Sequence, residues 1–258
     1  VDSEVMDAAR PAETLSAAAV MAAIDEAGDP DRAASSAKFF RTGRGDYGEG
    51  DRFAGVRVPE QRKIAKRFRG LDRSQVNVLL DSDIHEHRLT GLFLLRSGFE
   101  KAPSDQDRRA WVDLYLSAVD RGRVNNWDLV DSSAEYILGQ WLLQCDRERG
   151  EQDHTLLLGL AADTDLWRRR VAVLATFAFI RAGDAATLLE LAPSLLDDRR
   201  DLIQKAVGWM LRETGKRVDR RLLTDFLDQH AAEMGRTALS YATEHLAAQE
   251  RAHYRSLR

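Results

Sequence analysis

Apolar residues recur at intervals of three and four along almost the whole chain. In 166–182, Val171, Leu174, Ala175, Ala178 and Phe179 mark one stripe, and in 126–144 Leu129, Ile137, Trp141 and Leu142 contribute to another. The pattern predicts helices over 14–27, 59–70, 73–81, 84–98, 105–121, 126–144, 151–162, 166–182, 184–197, 200–215, 219–231 and 235–248. Punctuation supports it: Gly28 closes the first helix, and Pro59 opens a helix that ends at Gly70. No segment alternates cleanly enough to be a strand. Short helices with frequent turns and no strands describe an all-α chain, an α-solenoid built from helix pairs. No boundary is visible after about residue 32, so the chain divides into an acidic arm with the first helix (1–32), one repeat domain (33–250) and a C-terminal tail (251–258).

Three unusual positions recur at a solenoid period. Trp127 and Asp131 are one helical turn apart, which puts an indole and a carboxylate on one face. Arg170, in the run Arg168 to Arg170, and then Trp209 follow at steps of roughly 40 residues, near the length of a two-helix HEAT-type unit. Residues at matching places in successive HEAT-like pairs line one side of a curved superhelix, so a concave face carrying this set is expected. The plainer reading makes Trp127 a core anchor and Asp131 a helix-start carboxylate favoured by the dipole.

Charge sharpens this only through its distribution. The chain has 42 acidic and 38 basic residues, a net charge of −4, which argues weakly against a nucleic-acid partner. Yet Asp2, Glu4, Asp7, Glu13, Asp25, Glu26, Asp29 and Asp31 face only Arg10 up to residue 31, while basic clusters follow at Arg62 to Arg69, Arg168 to Arg170 and Arg212 to Arg221. An acidic arm thus masks a chain with basic faces. Cys145 is the only cysteine, which excludes an intrachain disulfide and a cysteine-built zinc site and suits a reducing cytoplasm. The start of the chain lacks the pattern of a signal peptide, and no run of about 18 apolar residues could span a bilayer.

Several other motifs carry bland readings. Gly43, Gly45 and Gly48 spell GxGxxG, but no strand precedes them, so a loop touching a ligand or phosphate backbone, or a plain connection, is expected rather than a dinucleotide site. Arg44, Gly45 and Asp46 form an adhesion tripeptide without meaning inside a cell. Asp83, His85, Glu86 and His87 read as a solvated helix start and not a metal site, since His85 and His87 point to different faces. Cys145, Trp111 and Trp141 read as packing residues, Cys145 having no close basic partner.

Linked segments then add a resemblance from about residue 35 to 248. They are Phe39 to Gly43 with Tyr47 to Gly50, Gly55 to Pro59 with Arg62, Asn126 to Asp131, Trp167 with Arg170, and Ile203 to Glu213. In order and spacing the chain resembles the AlkD family of DNA alkylation repair glycosylases, which are HEAT-like solenoids. The resemblance implies an active-site aspartate at Asp131, sugar-contacting tryptophans at Trp127 and Trp209, and an active-site arginine at Arg170. It places backbone-contacting cations at Arg62 and Lys66, and Arg44, Arg169, Lys205 and Arg212 complete the expected DNA-binding set. It also implies a monomer, active on double-stranded DNA containing alkylated bases in the cytoplasm at the nucleoid, with no metal and no cofactor. The reaction would be hydrolysis of the N-glycosidic bond of cationic N3- or N7-alkylated purines, on an open face without a lid and with the base left largely in the stack. Some relatives serve self-resistance against bulky alkylators, and others are scaffolds that bind DNA structures or protein partners without catalysis. The acidic arm and the glycine-rich loop depart from the shorter members.

Overall fold

The computed structural model describes residues 15–150 and 152–257, so the acidic residues Asp2, Glu4, Asp7 and Glu13 and the segment tested for a signal peptide lie outside it. Every regular element among the described residues is helical, and the one β contact is an isolated bridge between Arg52 and Ile84. The helices start where side chains can accept the free N–H groups of a first turn. Ser16 caps α1 (Ala17–Glu26), Asp29 caps α2 (Pro30–Phe39) with Pro30 in the first turn, Asp72 caps α4 (Arg73–Leu80) after α3 (Val58–Arg67), and Ser104 caps α6 (Asp105–Asp120) after α5 (His85–Lys101).

Three long helices expected from periodicity are broken. The span 126–144 divides into α7 (Trp127–Asp131), a π-helical turn (Glu135–Gly139) and α8 (Gln140–Arg149), which Gly150 closes in the left-handed conformation. The break falls where the Ser133 hydroxyl donates to the Leu129 carbonyl at 2.6 Å, competing with the backbone ladder. After α9 (Thr155–Ala162), the span 166–182 divides into α10 (Leu166–Ala175) and α11 (Phe177–Arg181) at Thr176, whose hydroxyl donates to Val173 O at 2.6 Å. The span 184–197 gives α12 (Ala186–Leu191) and a short 3₁₀ turn (Ala192–Leu195), since Pro193 has no N–H to continue an α-helix. Then come α13 (Asp201–Arg217), α14 (Arg220–His230), α15 (Arg236–Ala242) and α16 (Ala248–Ser256). The last occupies the segment read as a tail, and buried Tyr254 anchors it by donating to Asp228 at 2.9 Å.

Neighbouring helices pack in succession: α4 on α5, α9 on α10, α13 on α14 and α15, with one continuous apolar core running from Ala17 to Tyr254. This is an α-solenoid. Trp111 is in that core, Trp141 packs against it, and Cys145 is half-buried with Arg149 one turn on, the basic partner that sequence reading missed. The packing that matters for function is α10 lying against both α7 and α13, so three successive layers bring their site residues side by side. Gly208 lets α13 pack closely on α15 in the next layer, because a Cβ there would lie 2.4 Å from Ala238 O and 2.7 Å from Tyr241 Cβ on α15. Gly208→Ala is expected to lower unfolding free energy by roughly 1–3 kcal/mol through overpacking, read by urea denaturation.

Candidate active site

A cleft of about 740 Å³ opens where those layers meet. Trp127 and Asp131 come from α7, Leu166 and Arg170 from α10, and Asp201, Leu202, Lys205 and Trp209 from α13, with Tyr241 from α15. Phe39, Arg41, Gly45, Asp46 and Tyr47 line it too. The structure therefore brings together all four residues expected at the reacting centre, Trp127, Asp131, Arg170 and Trp209. It also changes the expectation of an open face, because the end of α2 and the glycine-rich loop supply part of the wall.

Asp131 is held by Arg170 through two parallel hydrogen bonds, Nε to Oδ1 at 2.9 Å and Nη2 to Oδ2 at 2.8 Å. The third branch of the same guanidinium donates from Nη1 to the Leu202 carbonyl at 2.6 Å. Arg170 is thus consumed by Asp131 and by the first turn of α13, and the open phosphate-binding fork that its residue type suggests is not free. The Asp131 side chain is 21% exposed and that of Arg170 5%, so the pair presents its negative end to the cleft. Burial pushes the Asp131 carboxyl upward and Asp128 adds to this, while the charge and hydrogen bonds of Arg170 pull it back; the balance leaves it raised.

Behind Trp127 lies a charged network whose members are far apart in sequence. His85 donates from Nδ1 to Asp51 at 2.7 Å and from Nε2 to Asp128 at 2.8 Å. Arg88 donates to the same Asp51 at 2.6 Å, and Asn126, which caps α7 by accepting from Trp127 N at 2.9 Å, reaches Asp51 at 3.2 Å. Burial alone would push the imidazolium down, but the hydrogen bonds and charges of Asp128 and Asp51 outweigh it, and the His85 pKa is raised to about 9. Burial would likewise raise Asp51, yet His85 and Arg88 hold it below the ordinary carboxylate value. The ring of His85 stacks on Phe53 (centroids 4.6 Å apart), Phe53 on Phe40 (5.1 Å), and Phe40 on the Trp127 indole (5.4 Å). A buried cation and three aromatic rings thereby fix the start of α7.

Of the residues expected to form a solvated helix start, Asp83, His85, Glu86 and His87, only Asp83 is exposed. His85, Glu86, His87 and Arg88 are all buried, each with partners that sequence spacing does not reveal. Glu86 accepts the backbone N–H groups of Ala54 and Gly55, both at 2.8 Å, and His87 lies between Ser82 (2.9 Å) and Asp25 (3.0 Å). Among the described residues no group of three or more possible ligands is arranged to hold a metal ion.

The expected DNA-contacting cations separate into groups. Lys205 lines the cleft, 2.7 Å from Asp201, and exposed Arg44 adjoins Gly45 and Asp46 of its wall. Arg62 and Lys66 are exposed on α3 away from the cleft lining, with Arg62 over the Phe93 ring at 4.4 Å. Arg169 is paired with Asp198 at 2.9 Å, and Arg212 with Glu213 at 3.2 Å and with Glu244. Both are partly buried, so their charges serve internal pairing in this structure. Arg41, Tyr241, Asp51, His85 and Phe40 were not singled out from sequence as site residues. Tyr47 stood only in the family-like segment, and now lies edge-on to Trp167 at 6.1 Å.

An all-helical solenoid whose successive layers converge on a carboxylate, two indoles and an arginine fits an enzyme that works on an extended polymer. The chain belongs to the DNA alkylation repair enzyme family, whose sequence pattern matches residues 20–246. Membership gives it a role in alkylation repair and DNA as its partner. Among solved structures it is similar to a protein described as a predicted DNA alkylation repair enzyme from Enterococcus faecalis, with a TM-score of 0.66 and 17% identity over 86% of this chain and 97% of that one. That likeness concerns the fold. No curated protein matches the chain. No helix among the described residues is long and apolar enough to cross a membrane.

Proposed function

We propose that the chain is a monofunctional DNA glycosylase, acting as a monomer on duplex DNA in the cytoplasm, which hydrolyses the N-glycosidic bond of cationic N3- or N7-alkylated purines and leaves an abasic site. The observation that carries this reading is Asp131, a carboxylate oriented by both arms of Arg170 and turned toward a cleft that it shares with the Trp127 and Trp209 rings. A purine alkylated on a ring nitrogen already bears positive charge. When its bond to C1′ breaks, the electron pair goes to the base and neutralises it, and the positive charge passes to the sugar. No strong general acid is required for such a leaving group.

Asp131 stabilises the charge that builds on the sugar and orients a water; the water oxygen bonds to C1′ and its proton passes to the carboxylate and then to solvent. The indole faces, negative at their centres, suit a cationic sugar lying against them. Neither step calls for a metal or an organic cofactor. The base stays largely in the helix stack, and the cleft takes the sugar and its phosphates.

The test is base release from duplex DNA carrying defined lesions. Free 7-methylguanine or 3-methyladenine is the expected product, with uracil and 1,N6-ethenoadenine left in place because they are uncharged in the strand and, without an acid to protonate them, would have to depart as anions. Comparable release of uracil would contradict the mechanism, and DNA binding with no release of any base would make the chain a scaffold. Release of a bulky adenine adduct alone would assign it to self-resistance.

A further inference from the structure

Arg41 is the only residue other than glycine among the described residues with a positive φ, 51°. It stands at the end of α2, where Thr42 N–H donates to Ala37 O (3.2 Å) and Arg41 N–H to Lys38 O (3.3 Å). That pairing is a Schellman helix end, and its left-handed position is the one glycine usually fills, since a Cβ there is strained. The other left-handed positions in the described chain all carry glycine. Strain kept at one site calls for a return elsewhere. The Arg41 side chain supplies none to the fold: it is exposed, lines the cleft, and makes no hydrogen bond, ion pair or ring contact among the described residues.

The rest of the cleft shows what is missing. Arg170 is consumed by Asp131 and Leu202 O, and Arg200 by Asp198 and the Thr164 carbonyl. A DNA strand whose sugar reaches Asp131 brings its anionic phosphates against a cleft whose two other arginines are already paired. Lys205 lines the same space, and although Asp201 holds its ammonium raised, the charge of Arg41 acts on it in the opposite sense, so the two cations share one neighbourhood. Asp46 also lines the cleft but makes no ion pair with Arg41 among the described residues.

We propose that Arg41, with Lys205 beside it, is the phosphate-holding arginine of this cleft, gripping the damaged strand next to the sugar on which Asp131 acts, and that Arg170 serves to position Asp131. Arginine suits the task because its planar fork meets two phosphate oxygens at once. The inference rests on the glycosylase reading and adds to it the residue that sets the strand in register.

Arg41→Gly separates the two possible roles of this residue, because glycine keeps the helix end and removes only the fork. The probe is a duplex with a tetrahydrofuran abasic analogue, titrated by fluorescence anisotropy over a range of salt. Affinity is expected to fall about 5- to 10-fold near 0.1 M salt, and the slope of log K against log salt to flatten by about 1, as for one lost phosphate contact. The thermal midpoint should hold or rise, and Arg41→Lys should restore the salt slope through its charge but only part of the affinity, because it lacks the fork. Unchanged affinity and slope in Arg41→Gly would overturn the proposal, as would a drop in thermal midpoint that accounts for the loss, or an Arg41→Lys variant as weak as the glycine one. If the parent chain releases methylated bases and binds the duplex yet Arg41→Gly binds equally well, only this inference fails. If the parent neither binds nor releases, the glycosylase reading fails with it.

Discussion

Asp131→Asn is expected to slow single-turnover release of 7-methylguanine by roughly 10²-fold or more, the scale of losing one preorganised electrostatic group, while duplex affinity changes little or rises slightly. The substitution keeps the shape of the side chain and removes its charge. It also turns one oxygen that accepts from Arg170 into an N–H group facing another donor, so a thermal melt belongs beside the rate. Excision at the parental rate by a folded Asp131→Asn protein would remove α7 from the chemistry. Trp127→Ala and Trp209→Ala should slow the same step and combine non-additively with Asp131→Asn if all three act on one sugar. The pH profile carries a further check. The working form is the carboxylate, so the rate should fall as pH drops through the Asp131 pKa, and because burial raises that value the acid limb should lie above 3.8.

His85→Ala is expected to cost on the order of 3 kcal/mol of stability, because it leaves the buried Asp51 and the partly buried Asp128 without the cation between them. The pH dependence of the parent gives an independent measure. His85 is raised from 6.5 to about 9 in the folded chain, so its contribution is fully present below pH 6.5 and is lost as pH rises through 9. Linkage sets that loss at about 3 kcal/mol, to order of magnitude. Urea unfolding between these limits should show the decline in the parent and a flatter profile in His85→Ala. A parent whose stability is level from pH 6.5 to 9 would mean that the ring is neutral in the fold. Excision should slow in His85→Ala as well, since the start of α7 loses its support at Asp128.

What could be read in the sequence was local or tied to a repeat. Trp127 and Asp131 are one turn apart, and helical spacing alone puts them on one face. Arg170 and Trp209 came within reach because solenoid layers repeat and because the flanking segments resembled a known family. His85, Asp51 and Asp128 were illegible for the opposite reason: their partners are 34 and 43 residues away, and a polar run at a helix start looks the same whether water or carboxylates surround it. The breaks at Ser133 and Thr176 also escaped periodicity, which registers where apolar residues fall and not where a hydroxyl takes over a backbone carbonyl. Arg41 escaped because left-handed backbone is signalled by glycine, and here no glycine stands.

The guanidinium of Arg170 acts as a strut as well as a clamp. Two of its bonds end on the last residue of α7, and the third ends on the backbone of α13, the helix that carries Lys205 and Trp209. The span between the two tryptophan-bearing helices and the charge on Asp131 are therefore one mechanical variable: neutralising the carboxylate slackens the tie on the α7 side, and widening the gap pulls the same nitrogens away from the acid.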